Sequence, residues 1–272
     1  MNKITLLSYD QIFGNKIDII KKYGSKAGIT DFSILLDGFV LNSFHTFGGY
    51  SLNDRTGMWF TKSSFDNDNI CIVDHRGCKD IKNKLGRQCG GRPVLLWNNE
   101  NSNGKSIYEA NFGEYPQSVA PVSVSYLLSN LYELDELSET GKIYTLDCSH
   151  SSGSNAKFMA RDFIEYEYNG EKFIRFDVDN CYCNGNFLSD GRRIYSNSFY
   201  WICVEPITWI VDEKSGIALS KNILFAGIQY NNYDKENTNF EDSDLYNYLN
   251  DVFLCDIVPS KNIGKQLIKI KK

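Results

Sequence analysis

Apolar residues along this chain follow two rhythms. Helical spacing appears in four stretches. In residues 7–24 the positions Ile12, Phe13, Ile17, Ile19 and Ile20 share a face, and Gly24 suits a C-terminal cap. "TDFSILLDG" (30–38) opens on a Thr-Asp capping signal and closes on Gly38, which predicts a short second helix. "SVSYLLSNLYELDELSETGK" (123–142) carries Val124, Leu127, Leu128, Leu131 and Leu134, and Gly141 is the expected stop. "FEDSDLYNYLNDVFLCDI" (240–257) places Leu245, Leu249, Val252 and Phe253 together, with Asp242 and Ser243 as caps. Elsewhere the alternation is that of strands and turns. It runs through "FVLNSFHTFGGYSL", "GMWFTKSS", "ICIVDHRG" and "RPVLLW" between 39 and 97. "FIEYEYNGEKFIRFDV" (163–178) is a hairpin on the two-residue turn Asn169-Gly170, and residues 200–224 make a second about Glu213 to Gly216. The expected class is α+β: mainly antiparallel sheet with a few short amphipathic helices.

"NNENSNGKS" (98–106) is the clearest break, a polar loop without periodicity that separates 1–97 from 107–272. Composition adds strand character: 14% aromatic residues, with 17 Tyr and 17 Phe against 4 Trp. A net charge of −5 argues against a nucleic-acid partner, which clustered Lys and Arg would serve. No stretch approaches the ~20 apolar residues of a membrane span. The first 20 residues are interrupted by Asp10, Gln11 and Asn15, so synthesis in the cytoplasm without a leader is expected. The eight cysteines show no Cys-x-x-Cys pair, only Cys181-x-Cys183, and read as scattered reduced thiols.

A family resemblance rests on motif order. "FGEYPQ" (112–117), "YEYNGEKFIRF" (166–176), "YWICVEPITWIVD" (200–212), "LSKNIL" (219–224), "QYNN" (229–232) and "SDLYNYLNDVF" (243–253) resemble a bacterial and phage domain family of unknown function. Its pattern is G-x-Y-P-Q, E-P-I-x-W, S-x-x-I-L, Y-N and S-x-L-x-x-W-L-N. Tyr248 stands where that helix has Trp. Members typically close on a Trp-rich strand and a G-V-R-P-A-L strand. "GMWFTKSS" and "GGRPVLLW" look like this pair, yet they precede "GEYPQ". The reversal implies one intertwined, circularly permuted domain over 1–272, or two partial copies in tandem. The ending is also similar to the C-type-lectin-like fold of formylglycine-generating enzymes and phage tail-tip adhesins. In that picture Trp59, Trp97, Trp201 and Trp209 are core, and the apolar ends of 54–97 form a core hairpin under a displayed loop.

Catalytic chemistry has thin support in the sequence. Asp74, His75 and Cys78, and Asp147, Cys148, His150, Ser151 and Ser152, suggest Cys-His or Ser-His-Asp sites but lack a nucleophile elbow. His45 is the third histidine, and no copy of the formylglycine-enzyme cysteine pair is found. Asp66, Asp68 and Asn69, with Asp177, Asp179 and Asn180, hold calcium-type oxygens without an EF-hand loop. The expectation is a non-enzymatic module with no catalytic residue, cofactor or metal. It is a phage virion protein, tail or capsid-associated, that contacts other virion proteins or a host-surface glycan or protein, self-association included. Its contacts are expected on Phe65, Asn67 and Asn69 of loop 61–70 and on Tyr230, Asn231, Asn232 and Tyr233 of loop 228–240, with turn 183–187 and Phe187 as a weaker candidate. The alternative is a formylglycine-enzyme-like cytoplasmic enzyme or effector, which requires an exposed thiol of low pKa.

Overall fold

The computed structural model describes residues 3–6, 59–60, 70–74, 77–81, 88–91, 93–96, 107–147, 160–177, 188, 190, 192–193, 195, 197–212, 216–221, 224–232, 235 and 239–257. The expected helices in 7–24 and 30–38, the strand 39–52, loop 98–106 and Trp97 lie outside them.

Two sheets organise the described strands. The larger has eight strands. They are β1 (Lys3–Thr5), β6 (Val94–Leu96), β7 (Ile107–Val119), β8 (Ser138–Asp147), β9 (Ala160–Tyr168), β10 (Glu171–Asp177), β11 (Phe199–Asp212) and β12 (Ile217–Ser220). Its path is β1-β6-β12-β11-β10-β9-β8, with β7 alongside β11. The smaller sheet runs β13-β5-β2-β3-β4, from Phe225–Gln229, Gln88–Gly91, Trp59–Phe60, Ile70–Asp74 and Gly77–Ile81. Among the described residues all strand pairings are antiparallel except β2 with β5. Strands from before residue 98 and after residue 106 therefore share both sheets: β6 pairs with β12, and β5 with β13. The class is α+β with mostly antiparallel sheet. The expected core hairpin of 54–97 is not formed, because β2 and β6 enter different sheets and β3, β4 and β5 intervene.

Asn169 and Gly170, both at positive φ (52° and 80°), make the predicted tight turn between β9 and β10. Helix α1 (Val122–Glu133) ends earlier than its periodicity suggests. Asp135 takes a left-handed conformation (φ 57°) that a short polar side chain tolerates, and Ser138 already begins β8. Trp201 and Trp209 lie in one strand, β11, and both are fully buried. Trp209 Nε1 donates to the Phe112 carbonyl at 2.8 Å, and Trp201 Nε1 donates to Ser129 Oγ at 3.0 Å. These bonds remove the desolvation cost of each indole N–H.

β11 carries different neighbours along its length, β10 over Phe199–Val204 and β12 over Trp209–Asp212. Its changeover falls at Glu205 and Pro206, opposite Tyr115 and Glu114 of β7. Neither Pro116 nor Pro206 has a backbone N–H to give the ladder. The buried Gln117 side chain fills the gap by donating to the carbonyls of Glu205 (2.9 Å) and Pro206 (3.2 Å). Ser118 adds its N–H and hydroxyl to the Glu205 carboxyl. The "EYPQ" and "EPI" segments are thus one cross-strand device. Gly113 at φ 71° supplies the accompanying bulge in β7.

After β13 the chain passes through a 3₁₀ turn (Phe240–Asp242) into α2 (Asp244–Asn247), a π-helical turn (Tyr248–Phe253) and α3 (Leu254–Ile257). The predicted last helix is therefore continuous in course but widened in the middle. Leu245, Leu249 and Phe253 are buried as the spacing requires, and Val252 packs beside them. Ser243 is the N-cap, accepting from the Tyr246 N–H, whereas Asp242 accepts from the Asn239 side chain. This segment reaches the outer edges of β1 and β8. Asn250 exchanges two hydrogen bonds with the backbone of Ile4 on β1 (2.9 and 3.0 Å). On β8, the Thr145 N–H donates to Asp256 and its carbonyl accepts from Tyr248 Oη. The sheet is curled far enough for its two ends to meet one helix.

Two outcomes are expected. Proteolytic cleavage confined to 98–106 leaves fragments that co-elute on size exclusion and unfold in one transition; separately folded fragments would disprove a shared core. A Cβ on Gly113 would sit 2.8 Å from the Ile257 carbonyl oxygen, whereas one on Gly141 meets nothing within 4 Å. In urea denaturation Gly113→Ala is expected to cost about 2–4 kcal/mol. Gly141→Ala, with strain alone, should cost about 1–2 kcal/mol.

Candidate functional site

A local irregularity in β8 gathers ionisable groups. Between Glu139↔Tyr166 and Ile143↔Ile164 the register slips, leaving Thr140, Gly141 and Lys142 opposite Glu165 alone. Gly141 at φ 82° allows the chain to loop out. Thr140 Oγ1 then donates to Glu165 Oε1 at 2.8 Å, and the Lys142 N–H donates back to Thr140 Oγ1. Glu165 is buried, and its second oxygen accepts from Tyr144 Oη at 2.9 Å. The Lys142 ammonium lies 4.3 Å above the centroid of the Tyr144 ring.

Lys172 of β10 pairs with Glu114 of β7 across β11, and the hydrogen bond to Glu114 raises the lysine's pKa. Burial lowers that of Lys142, opposed by the nearby carboxylates of Glu165, Glu114 and Asp256. The Tyr144 hydroxyl is pushed well above its usual range by burial and by Glu165. Asp256 is pushed up to about 6 by burial, against the Thr145 N–H and Lys142 that favour its charged form. Tyr115 Oη and Tyr248 Oη lie 3.2 Å apart beside them. Glu165, Asp256 and Lys172 each have a close partner. The arrangement holds β7, β8, β10 and the last helix together, and Asp256 can exchange a proton near pH 6. Among the described residues no three His, Cys, Asp or Glu side chains converge to hold a metal ion.

The residues expected at a display surface fare differently. Phe65, Asn67, Asn69 and Tyr233 lie outside the described residues, as does turn 183–187. So do His45, His75, His150, Cys148 and the oxygen-bearing side chains Asp66, Asp68, Asp179 and Asn180. Tyr230 and Asn231 are each 1% exposed, so neither is a display residue. The reason is the last helix: Asn231 Oδ1 accepts from the Asp244 N–H, and the Tyr230 carbonyl accepts from the Leu245 N–H. Asn232 belongs to the same anchor, its N–H donating to Asp244 Oδ2, while Lys235 pairs with the other oxygen. Residues Tyr230, Asn231 and Asn232 are a docking strap for the last helix rather than an open surface. Burial and Glu205 push the Cys203 thiol up to about 11, opposite to what a nucleophile needs.

A different surface is open, on the sheet face that carries α1. Antiparallel registers set its side chains in rows. Tyr166, Phe173 and Cys203 form one row, packed under α1 with Leu128 and Tyr132. Ile143, Ile164, Arg175 and Trp201 form the next. Helix α1 covers Trp201 and sets Tyr132 against Arg175, whereas Ile143 is 51% and Ile164 38% exposed. Phe199, diagonal to Arg175, is also exposed, as are Val122, Tyr126 and Leu134 of the α1 segment. Sequence reading passed over this surface, although a signal existed. In "FIEYEY" Phe163 lies on one face and Ile164, Tyr166 and Tyr168 on the other, so both faces need a cover.

Asp256 gives a pH signature. Folding raises its carboxyl from 3.8 to about 6, so the folded chain binds the proton more tightly than the unfolded one. The stability gained is complete below about pH 4 and is lost as pH rises through 6. Asp256→Asn keeps an acceptor for the Thr145 N–H without the charge. The variant should melt higher than wild type at pH 7 and show a flatter rise in Tm between pH 6 and 4. Parallel Tm profiles would assign the titration elsewhere.

Comparison with protein-family profiles, curated proteins and solved structures finds no match to this chain.

Proposed function

We propose that the protein is a non-catalytic binding module of C-type-lectin-like type, a phage virion component, tail or capsid-associated, that contacts other virion proteins or a host-surface molecule. The open apolar surface beside α1 carries the binding part of this reading. Contiguous exposed apolar side chains on a folded chain mark interaction sites more often than chance exposure does, and here Ile143 and Ile164 form a directly paired, uncovered patch. The virion context rests on the order of the "GEYPQ", "EPITW" and "SDLYNYLN" motifs, which resembles that of the phage and bacterial domain family. Contact through a sheet face, rather than through 228–240, fits the burial of Tyr230 and Asn231. No helix among the described residues is long and apolar enough to cross a membrane.

The test is location. Antiserum against the recombinant chain, applied across a density gradient of particles from the source culture, should detect it in the particle fractions. Mass spectrometry of washed particles should recover its peptides. A chain confined to the soluble cell fraction would overturn the virion reading.

A further inference from the structure

From the open face we infer a specific recognition element, resting on the binding reading above: Arg175 is the anchor for a lone carboxylate on a protein partner, which sits among aliphatic side chains packing on Ile143 and Ile164.

Arg175 is held by two aromatic rings. Its Cζ lies 4.5 Å from the Tyr132 ring centroid and 4.2 Å from that of Phe199. Two rings attract the guanidinium and fix its place, yet their faces give its N–H groups no conventional acceptor. Among the described residues no carboxylate pairs with it, although Lys172, Arg192, Lys221 and Lys235 all have one. Its Nε is shielded from solvent and has no hydrogen-bond acceptor. A half-buried, ring-held arginine bordered by exposed isoleucines has the composition of an interface centre, where Arg and aromatic residues concentrate and charged residues are otherwise depleted.

The chemistry of the partner follows from what surrounds that cation. Guanidinium donors match the two oxygens of a carboxylate. Asp162 and Asp177 occupy the next row of the same face, each paired in the sheet, and Asp162 accepts from Thr145 Oγ1 at 2.7 Å. Those acids oppose a phosphate dianion or an acidic run, leaving room for one negative charge. Ile143 and Ile164 offer aliphatic contact, and one face of the Phe199 ring is taken by Arg175, which favours peptide side chains over a stacked sugar. An Asp or Glu flanked by Leu, Ile or Val meets every condition.

A random dodecapeptide display library selected on the immobilised full chain is the test. Recovered peptides should carry a single acidic residue within an aliphatic run. A synthetic copy of the best peptide should bind Arg175→Met at least about tenfold more weakly, as expected when one partner of a desolvated ion pair is removed. Replacing its acidic residue by the amide should weaken wild-type binding as much and Arg175→Met binding hardly at all. Ile164→Lys, at an exposed position, provides the same test should Arg175→Met fail to fold. Failure to recover peptides, absence of acidic enrichment, or equal binding to all three proteins would overturn this anchor while leaving the virion reading to its own experiment. Sedimentation showing a wild-type dimer that Ile164→Lys dissociates would assign the face to a second copy and overturn the separate partner.

Discussion

The structure depends on what closes the two ends of its large sheet. An antiparallel sheet of this breadth ends in rows of unpaired N–H and C=O groups, which attract other chains if left open. Here side chains of one short helical stretch bond to the outer edges of both β1 and β8. Asn250 mimics a neighbouring strand for Ile4, while Asp256 and Tyr248 do so for Thr145. The widened π-helical turn carries Tyr248, Leu249, Asn250 and Phe253. In this stretch buried positions fill the core while Asn250 remains free to reach the strand edge. The curl that makes this closure work needs the strap 229–232 and its bonds to Asp244, because they fix where the helix begins.

A second constraint lies at the middle of β11. One strand serves β10 over its first part and β12 over its second, so the hydrogen-bond pattern must be reset between them. Two prolines, a bulge glycine and a glutamine side chain perform that reset. Their roles explain why residues with strong motif character here, Tyr115, Pro116, Gln117, Glu205 and Pro206, serve backbone continuity rather than chemistry. Tyr115 then packs edge-on against Tyr144, Phe225 and Phe253, which links the reset to the core.

Much of the local structure was legible in the sequence because its determinants are local. Asn169-Gly170 specifies a turn by backbone sterics alone, and Leu245, Leu249 and Phe253 specify a buried helix face by spacing. The end of α1 was misread because Leu134 and Leu137 keep the helical rhythm while Asp135 leaves it; a left-handed residue that is not glycine gives no apolar signal. The separation of β2 from β6 was hidden for another reason. Strand partners are chosen by tertiary packing across a hundred or more residues, and period-two patterning marks only the existence of a strand. Tyr230 and Asn231 misled in a similar way: an amide- and aromatic-rich segment looks like a display loop, yet the same groups are suited to capping a helix. The Arg175 face was out of reach, since neither a cation's missing partner nor the border of α1's coverage is written in any short window.

The position of the closing helix after all the described strands also dictates an order of events in the cell. A nascent chain emerges from its N-terminal end, and domains of non-local topology wait for their partners. Strand β5 has no β13, and β6 no β12, until synthesis has passed residue 229. Ile4 and Thr145 stay unsealed until Asn250 and Asp256 have followed. Ribosome-bound chains thus carry exposed strand edges until that helix has been made. The part that removes them is made after every strand it seals.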